Sequence, residues 1–580
     1  MLDLPVWGLD RPLSYRVPEE LRGAVIPGVI VRAPLRGRRV RGWVVATDER
    51  DESTADKELA AVLGVSGPAP VFDAALLRAA RAMARYYVHP LSSFLRLITP
   101  PQMGRPLARR AGAGTPAAPP GELRVALPTC TLRRLGPRED PVAGYVGAIA
   151  GALDRGRGAI VVVPEVREGS IVLGGLERAF PKEAAVVHSG QEPAERSRAL
   201  WSVARGERRV VVGGRAAALV PALPASSPLG LVIVHAEEDR TLREQRSPYY
   251  DAREVAERRA AAAGADLLLA SAAPTLRSWR QAAEPRAGPT AGSGWRWQGP
   301  TRSEMRSAWP IVELIEPSRS VMPERAVEAI LTAWRAGIRV LVLVPRRERT
   351  TAGPGPAEVV AHLRKFAPRA DLQRADPPSL ASGSSDGATG TTPLERALRA
   401  AIIVATEGAL ADVERPPVGT AVALGVNALI HRPGGRSAEQ AFTTLWELAS
   451  LVAHSRVAGT REPARVLLET DEFGHHVVQA VQRGDYDFFA RQEVDERRNV
   501  NAPPFATLVR VRAGAPAVGG ATLDRLAALP GTELLGPVEG RLGPEVLLKV
   551  GTVDDVLDQL RAIVVGAPER LVVEMDPREW

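Results

Sequence analysis

The sequence predicts an α/β protein built from several units: a small β-rich module, two doubly wound parallel sheets and a βαββαβ layer at its end. Short Val/Ile/Leu runs bounded by turns alternate with helically spaced segments from about 159 to 270 and again from 323 to 405, the rhythm of βα units around a parallel sheet. The 580 residues suffice for three or four separate cores. A single cysteine, Cys130, excludes a disulfide framework and every multi-cysteine zinc site.

Hydrophobic content of 45% and charged content of 24% are those of a soluble globular chain. Leu4 to Trp7 are soon followed by Asp10 and Arg11, and no apolar run nears the length of a membrane span. The expectation is a cytoplasmic, nucleoid-associated protein with no membrane contact. The net charge of +8 suits a polyanion partner, but only four of the 75 basic residues are lysines, so the arginine load is equally consistent with coding bias.

Residues 1 to about 65 read as short strands at 5–7, 13–17, 29–32 and 40–45, punctuated by Pro and Gly. The hairpin between the last two holds Arg32, Arg36, Arg38, Arg39 and Arg41 and no acid. With Tyr15 and Trp43 nearby, it is expected either to track a phosphate backbone and stack a base, or to be a solvated hairpin with its aromatics in a small core. A helix over 73–87 stops near Pro90, and His89 reads as a packing residue. Residues 102–121 shift to Gly, Ala, Pro and Arg, a linker composition.

The first parallel unit has predicted strands at 159–163, 184–188, 209–213, 231–234 and 266–270. Leu231 to Val234 run straight into His235, Ala236, Glu237 and Glu238, as a strand buried on both faces does when it ends at a carboxyl edge. Catalytic groups in open α/β sheets sit at such edges. Residues 283–318 are Gly/Pro/Trp-rich and read as irregular, with Trp295 and Trp297 pinning a linker. The second unit has helix 323–334, strand 339–344, helix 356–366, a Gly/Ser/Thr segment at 379–392, strand 400–405 and helix 437–454. His475 and His476 form a histidine pair without a carboxylate or Cys at helix-compatible spacing, so no metal site is expected. The end reads strand 507–513, helix 518–529, strands 533–536 and 545–550, helix 553–564 and strand 570–575, a ferredoxin-like α+β domain.

Several stretches together resemble the PriA family of primosomal replication-restart helicases. They include 10–18, 83–91, 97–101, 163–166, 188–190, 213–217, 229–256, 271–275, 464–471, 485–498 and 502–505, in family order over nearly the whole chain. The resemblance implies an N-terminal 3′-DNA-binding-like domain (1–100), a basic linker in place of a winged helix (101–124), a RecA-like lobe (125–285), a linker (286–318), a second RecA-like lobe without its zinc region (319–460) and a C-terminal domain (461–580). The family's zinc cysteines would fall between Arg346 and Glu358, where only a few residues stand.

The motor residues that the resemblance implies are missing. The family's phosphate loop falls on Pro137 to Val142, including Glu139, Asp140 and Pro141. Such a loop needs glycines, a Lys and a hydroxyl around the phosphates and magnesium, whereas prolines supply no N–H and acids repel a triphosphate. His235 and Ala236 take the places of the magnesium Asp and the first Glu, followed by Glu237 and Glu238. Leu451 and His454 stand where the family's arginine-finger helix carries Arg. Arg541 and Lys549 remain as DNA candidates in the last domain.

These losses within an otherwise continuous resemblance imply a catalytically silent restart protein without metal or cofactor. It would bind forked, branched and single-stranded DNA, single-strand-binding protein, and the proteins that assemble the primosome and reload the replicative helicase. The alternatives are an active 3′-to-5′ helicase with a non-standard nucleotide site, and a general DNA-binding protein.

Overall fold

The computed structural model describes residues 1–577 apart from 48–58, 105–127, 138, 165, 167–169, 284–293, 346–353, 376–396, 398, 408–416, 455–463, 514–517 and 541–542. The expected linker over 105–121, most of the place of the missing zinc region, the Gly/Ser/Thr segment and Arg541 lie outside the described residues.

The N-terminal hairpin joins β1 (Ile30–Leu35) to β2 (Arg38–Trp43), and β3 (Gly64–Ser66) adds to the other side of β1. Arg36 and Gly37 both have positive φ, 47° and 77°, the two-residue turn whose twist matches a hairpin. The strands expected at 5–7 and 13–17 are absent: Trp7–Leu9 is a 3-10 turn and Arg16 makes only an isolated bridge to Ala61. Pro5, Pro12 and Pro18 remove the donors that a ladder needs. Helix α1 (Ala74–Tyr86) starts on Asp73, whose carboxylate accepts from Leu76 N at 2.7 Å, and α2 (Leu91–Ile98) follows.

The first parallel sheet has seven strands in the order β10-β4-β9-β8-β5-β7-β6. These are β4 (Cys130–Arg134), β5 (Gly158–Val162), β6 (Ala184–Val187), β7 (Val210–Gly213), β8 (Leu229–His235), β9 (Asp266–Ser271) and β10 (Trp295–Gln298). Helices α3 (Pro141–Asp154), α4 (Ile171–Ala179), α5 (Pro193–Ala204) and α6 (Ala252–Ala263) lie between them, and α7 (Leu276–Ala282) follows β9. All seven residues of β8 are buried, as the unbroken apolar run predicts.

The stretch 286–318, expected as a linker, contributes structure to both units. Trp295 to Gln298 pair in parallel with β4 at the edge of the first sheet, and β11 (Ile311–Ile315) pairs with β16 in the second. Trp295 and Trp297 are half-buried while Arg296 and Gln298 are exposed, a strand alternation only four residues long. Helix α8 (Arg302–Ala308) joins the two strands.

The second parallel sheet runs β11-β16-β15-β12-β14-β13. Its other strands are β12 (Val340–Leu343), β13 (Leu372–Ala375), β14 (Ile402–Ala405), β15 (Thr420–Ala423) and β16 (Arg465–Glu469). Around them stand α9 (Glu324–Arg335), α10 (Pro356–Phe366), α11 (Val426–Ile430), α12 (Ser437–His454), α13 (His476–Arg483) and α14 (Tyr486–Asn499). The boundary expected at 460 is therefore too early: β16 lies between β15 and β11, and Val477, Val481, Tyr486 and Phe489 share a core with Phe442 and Trp446. The last sheet begins only at β17 (Thr507–Ala513) and continues through α15 (Gly520–Ala527), β18 (Thr532–Gly540), β19 (Gly543–Val550), α16 (Leu557–Gly566) and β20 (Leu571–Met575), in the antiparallel order β18-β19-β17-β20.

Candidate functional site

Residues 135–137, 139 and 140 lie in the strand-to-helix turn between β4 and α3, the turn on which the sequence reading set a phosphate loop. The protein's own carboxylates fill it. Glu139 Oε2 accepts from Gly136 N at 3.0 Å, and its other oxygen pairs with Arg133 at 2.5 Å. Asp140 Oδ1 accepts from Val142 N at 2.9 Å, and Pro141 takes the first helical position. Helix N-termini attract anions because their N–H groups lack partners; at α3 that demand is met by Asp140. Asp followed by Pro is itself a helix-start signal, and here Asp140 and Pro141 begin α3.

At the carboxyl edge of β8, His235 is buried and its Nδ1 hydrogen-bonds the hydroxyl of Tyr145 at 2.9 Å. Tyr145 stands one turn into α3 and is 1% exposed. An aromatic pair thus joins α3 to the end of β8, at the residue that the sequence reading set in the place of a magnesium ligand. Ala236 adopts φ 47°, a conformation that side chains other than glycine rarely take. Glu237 is committed to Thr275 and Arg253: its oxygens accept from Thr275 N at 2.6 Å and Thr275 Oγ1 at 3.2 Å, and Arg253 lies 3.1 Å away. Burial pushes the Glu238 carboxyl well above the usual carboxylate range, with repulsion from Glu447 on α12 and from Glu237 adding to it. On the same helix Leu451 is half-buried, and His454 is described by its backbone alone.

The hairpin residues divide into two groups. Arg32, Arg36, Arg38 and Arg39 are exposed. Cross-strand pairing places Arg32 opposite Arg41 and Pro34 opposite Arg39, so Arg32 and Arg39 share one face, with Arg38 on the other and Arg36 at the turn. Arg41, counted with them in the sequence, is tied to Asp3 through Nε at 2.6 Å. Trp43 is 1% exposed and its Nε1 donates to Thr99 Oγ1 at 2.9 Å, so it cannot stack a base. Tyr15 is half-buried against the small valine core and donates its hydroxyl to Pro34 O at 3.0 Å. In the last domain Lys549 donates to Val500 O at 2.9 Å and pairs with Glu533 at 3.2 Å, which makes it a brace between units.

Sequence reasoning missed the ionic junction where the units meet. A cavity of about 820 Å³ is lined there by Arg253 and Arg277 of the first unit, Arg436 and Glu439 of the second, and Tyr86 and Asp576 from either end of the chain. Arg253, Glu254 and Arg258 of α6 look like an ordinary solvated i,i+4 pattern, yet Arg253 and Glu254 are 5% and 3% exposed. The histidine pair also acquires partners from another helix: His476 lies 2.8 Å from Glu493 and 3.6 Å from Glu496. Glu493 is held in turn by Arg497 at 2.9 Å, so an ion-pair chain stands at the place that the sequence marked as a bare His-His pair. His89, expected as a packing residue, bonds Ser93 at 2.9 Å and Ser247 at 2.8 Å. Burial lowers its pKa to about 4, with Arg570 contributing.

Residues 1–100 match the family profile of the PriA 3′DNA-binding domain (3′BD). The chain is 28% identical to the probable replication restart protein PriA of Mycobacterium leprae over 93% of this chain and 90% of that protein. It is 24% identical to the replication restart protein PriA of Treponema pallidum over 99% and 98%. The chain is thus similar to replication restart proteins PriA over most of its length, and its first 100 residues to their 3′ DNA-binding domain. Among the described residues, no helix is long and apolar enough to cross a membrane.

Proposed function

We propose that this chain is a replication-restart protein that recognises abandoned forks and promotes primosome assembly without hydrolysing ATP. The self-filled phosphate turn carries the reading: Glu139 and Asp140 occupy the N–H groups of Gly136 and Val142 that a nucleotide would need. The Tyr145–His235 bond and the pairing of Glu237 with Thr275 support it, because His235 is no carboxylate and Glu237 already holds protein partners. Electrostatic cradling of the phosphates supplies nearly all of the catalysis in phosphoryl transfer, so losing it removes the motor while leaving the sheets intact.

In this reading the two parallel units are RecA-like lobes serving as a scaffold. The arginines of the N-terminal hairpin contact fork DNA. The antiparallel order β18-β19-β17-β20 supports a ferredoxin-like C-terminal domain, which meets branched DNA and single-strand-binding protein, while loader proteins dock on the assembled complex. The test is a titration onto a labelled three-way fork and a matched linear duplex, with and without ATP and magnesium, following binding and strand separation together. Fork-selective binding unchanged by ATP and without unwinding is expected; ATP-dependent unwinding refutes the silent reading, and equal affinity for both DNAs refutes fork recognition.

A further inference from the structure

A nucleotide motor closes its two lobes around ATP, with an arginine of the second lobe reaching the γ-phosphate. In this chain the helix in that position, α12, contributes a carboxylate instead, from its other end. Glu439, in the first turn of α12, is bidentate: Oε1 accepts from Leu276 N at the start of α7 in the first unit at 2.9 Å, and Oε2 accepts from Arg497 Nη1 at 2.9 Å. Arg497 is 5% exposed and also donates to Glu493 Oε1 at 2.9 Å and Pro503 O at 3.1 Å. From the other side, Thr275 N donates to Glu237 Oε1, and the Thr275 hydroxyl accepts from Ser278 N. A continuous polar chain therefore runs from the edge of β8 through Thr275, Leu276, Glu439, Arg497 and Glu493 to His476.

Further contacts between the units flank this chain. Tyr486 donates its hydroxyl to Pro274 O at 2.7 Å, Trp279 Nε1 donates to Asp487 at 3.2 Å, and Arg280 donates to Pro504 O at 2.8 Å. Trp297 of the first sheet stacks on Tyr486 with ring centroids 6.2 Å apart. The end of β20 touches both units, since Asp576 accepts from Arg436 of the second at 2.6 Å and its carbonyl accepts from Arg243 of the first at 3.0 Å.

We propose that Glu439 is a latch that holds the two parallel units in one arrangement, doing permanently what bound nucleotide does transiently in a motor. The proposal rests on the silent reading above and adds its conformational counterpart: the DNA-facing surfaces keep one relative geometry whatever nucleotide is present. A largely enclosed carboxylate, 13% exposed, satisfied by a backbone N–H and a buried guanidinium is costly to disrupt, because removal of one member leaves the others without partners.

The test is hydrogen–deuterium exchange on the full chain, read in the peptide spanning 274–282, with 229–235 as an internal reference for the integrity of the first sheet. In the wild type, the 276–282 amides are expected to be protected, equally with and without ATP and magnesium and with a fork DNA. Glu439→Ala is expected to speed their exchange at least tenfold while 229–235 stays protected. Glu439→Gln, which keeps one acceptor but loses the charge facing Arg497, and Asp487→Asn, which weakens the flanking Trp279 contact, are expected to give smaller increases. They serve as the readout should the alanine variant unfold.

Wild-type amides exchanging like an open loop, or all three variants matching wild type, overturn the latch. Equilibrium dialysis with labelled ATP separates this from failure of the silent reading. Bound ATP with unchanged protection refutes silence and leaves the latch standing. No bound ATP, but protection lost on adding the fork, refutes the latch and leaves silence standing.

Discussion

Replacing Arg32, Arg36, Arg38 and Arg39 together by Gln should flatten the salt dependence of DNA binding. All four side chains are exposed on or at the turn of a two-stranded ribbon, two on one face, one on the other and one at the turn. Each phosphate neutralised contributes roughly 0.7–0.9 to the slope of log K against log salt, so the four together account for about 3 in slope. Between about 50 and 200 mM salt, roughly a hundredfold of the wild-type loss of affinity should disappear in the variant. Fluorescence anisotropy on a labelled fork across that range measures it. Arg41→Gln is the control: its guanidinium is committed to Asp3, so its slope should match wild type while thermal stability falls. A fourfold variant that keeps the wild-type slope refutes hairpin–phosphate contact, and an Arg41 effect as large as that of Arg39→Gln refutes the use of exposure to choose among the arginines.

Three further outcomes are expected. Trp43→Phe loses the bond to Thr99 Oγ1 and should lower stability by about 1–3 kcal/mol, seen as a lower denaturant midpoint, with fork affinity unchanged. The Glu238 carboxyl titrates higher in the folded state than unfolded, so the folded state holds the extra proton and stability falls as pH rises above the ordinary carboxylate value. Glu238→Gln should remove that fall, and its advantage over wild type, measured by urea melts from pH 5 to 8, should grow with pH by no more than about 1.4 kcal/mol per pH unit. His89 is the opposite case: its pKa drops from 6.5 to about 4 on folding, so the unfolded state binds the extra proton between those values. Stability is then full above pH 6.5 and declines toward pH 4 by roughly 3 kcal/mol. A His89→Gln variant whose melts decline as steeply as wild type in that window would exclude His89 as the cause.

The elements legible in the sequence are those whose residues declare burial on their own. β5, β8 and β9 are unbroken apolar runs, and α1 carries both its cap and its apolar stripe. β10 and β15 are not legible, for different reasons. β10 is an edge strand with only one side of each residue pair half-buried, and β15 is a fully buried strand of Thr, Ala, Val and Ala, too small and short to stand out from a loop. The place of the candidate site is readable, because His235 stands at the end of the longest fully buried strand among the described residues. Its occupants are not: Tyr145 is 90 residues from His235, and Glu439 is 163 from Leu276. The first pairing follows from packing α3 on β8 within one unit and the second from folding the two units against each other, and neither leaves a local trace. Likewise Trp43 and Tyr15 look available as stacking platforms because their neighbours are basic, whereas Thr99 and Pro34, which claim them, lie far along the chain.

The Tyr145–His235 bond sets the terms on which this chain could change over generations. Restoring an acid at His235 alone would bury a new carboxylate beside Tyr145 and close to the already protonation-prone Glu238, lowering stability while the turn remains filled by Glu139 and Asp140. Reopening the turn alone would strip α3 of its cap with nothing yet to bind there. On the silent reading proposed above, each single step toward a phosphate-binding cleft is downhill in stability and flat in activity, so building one requires several substitutions at once.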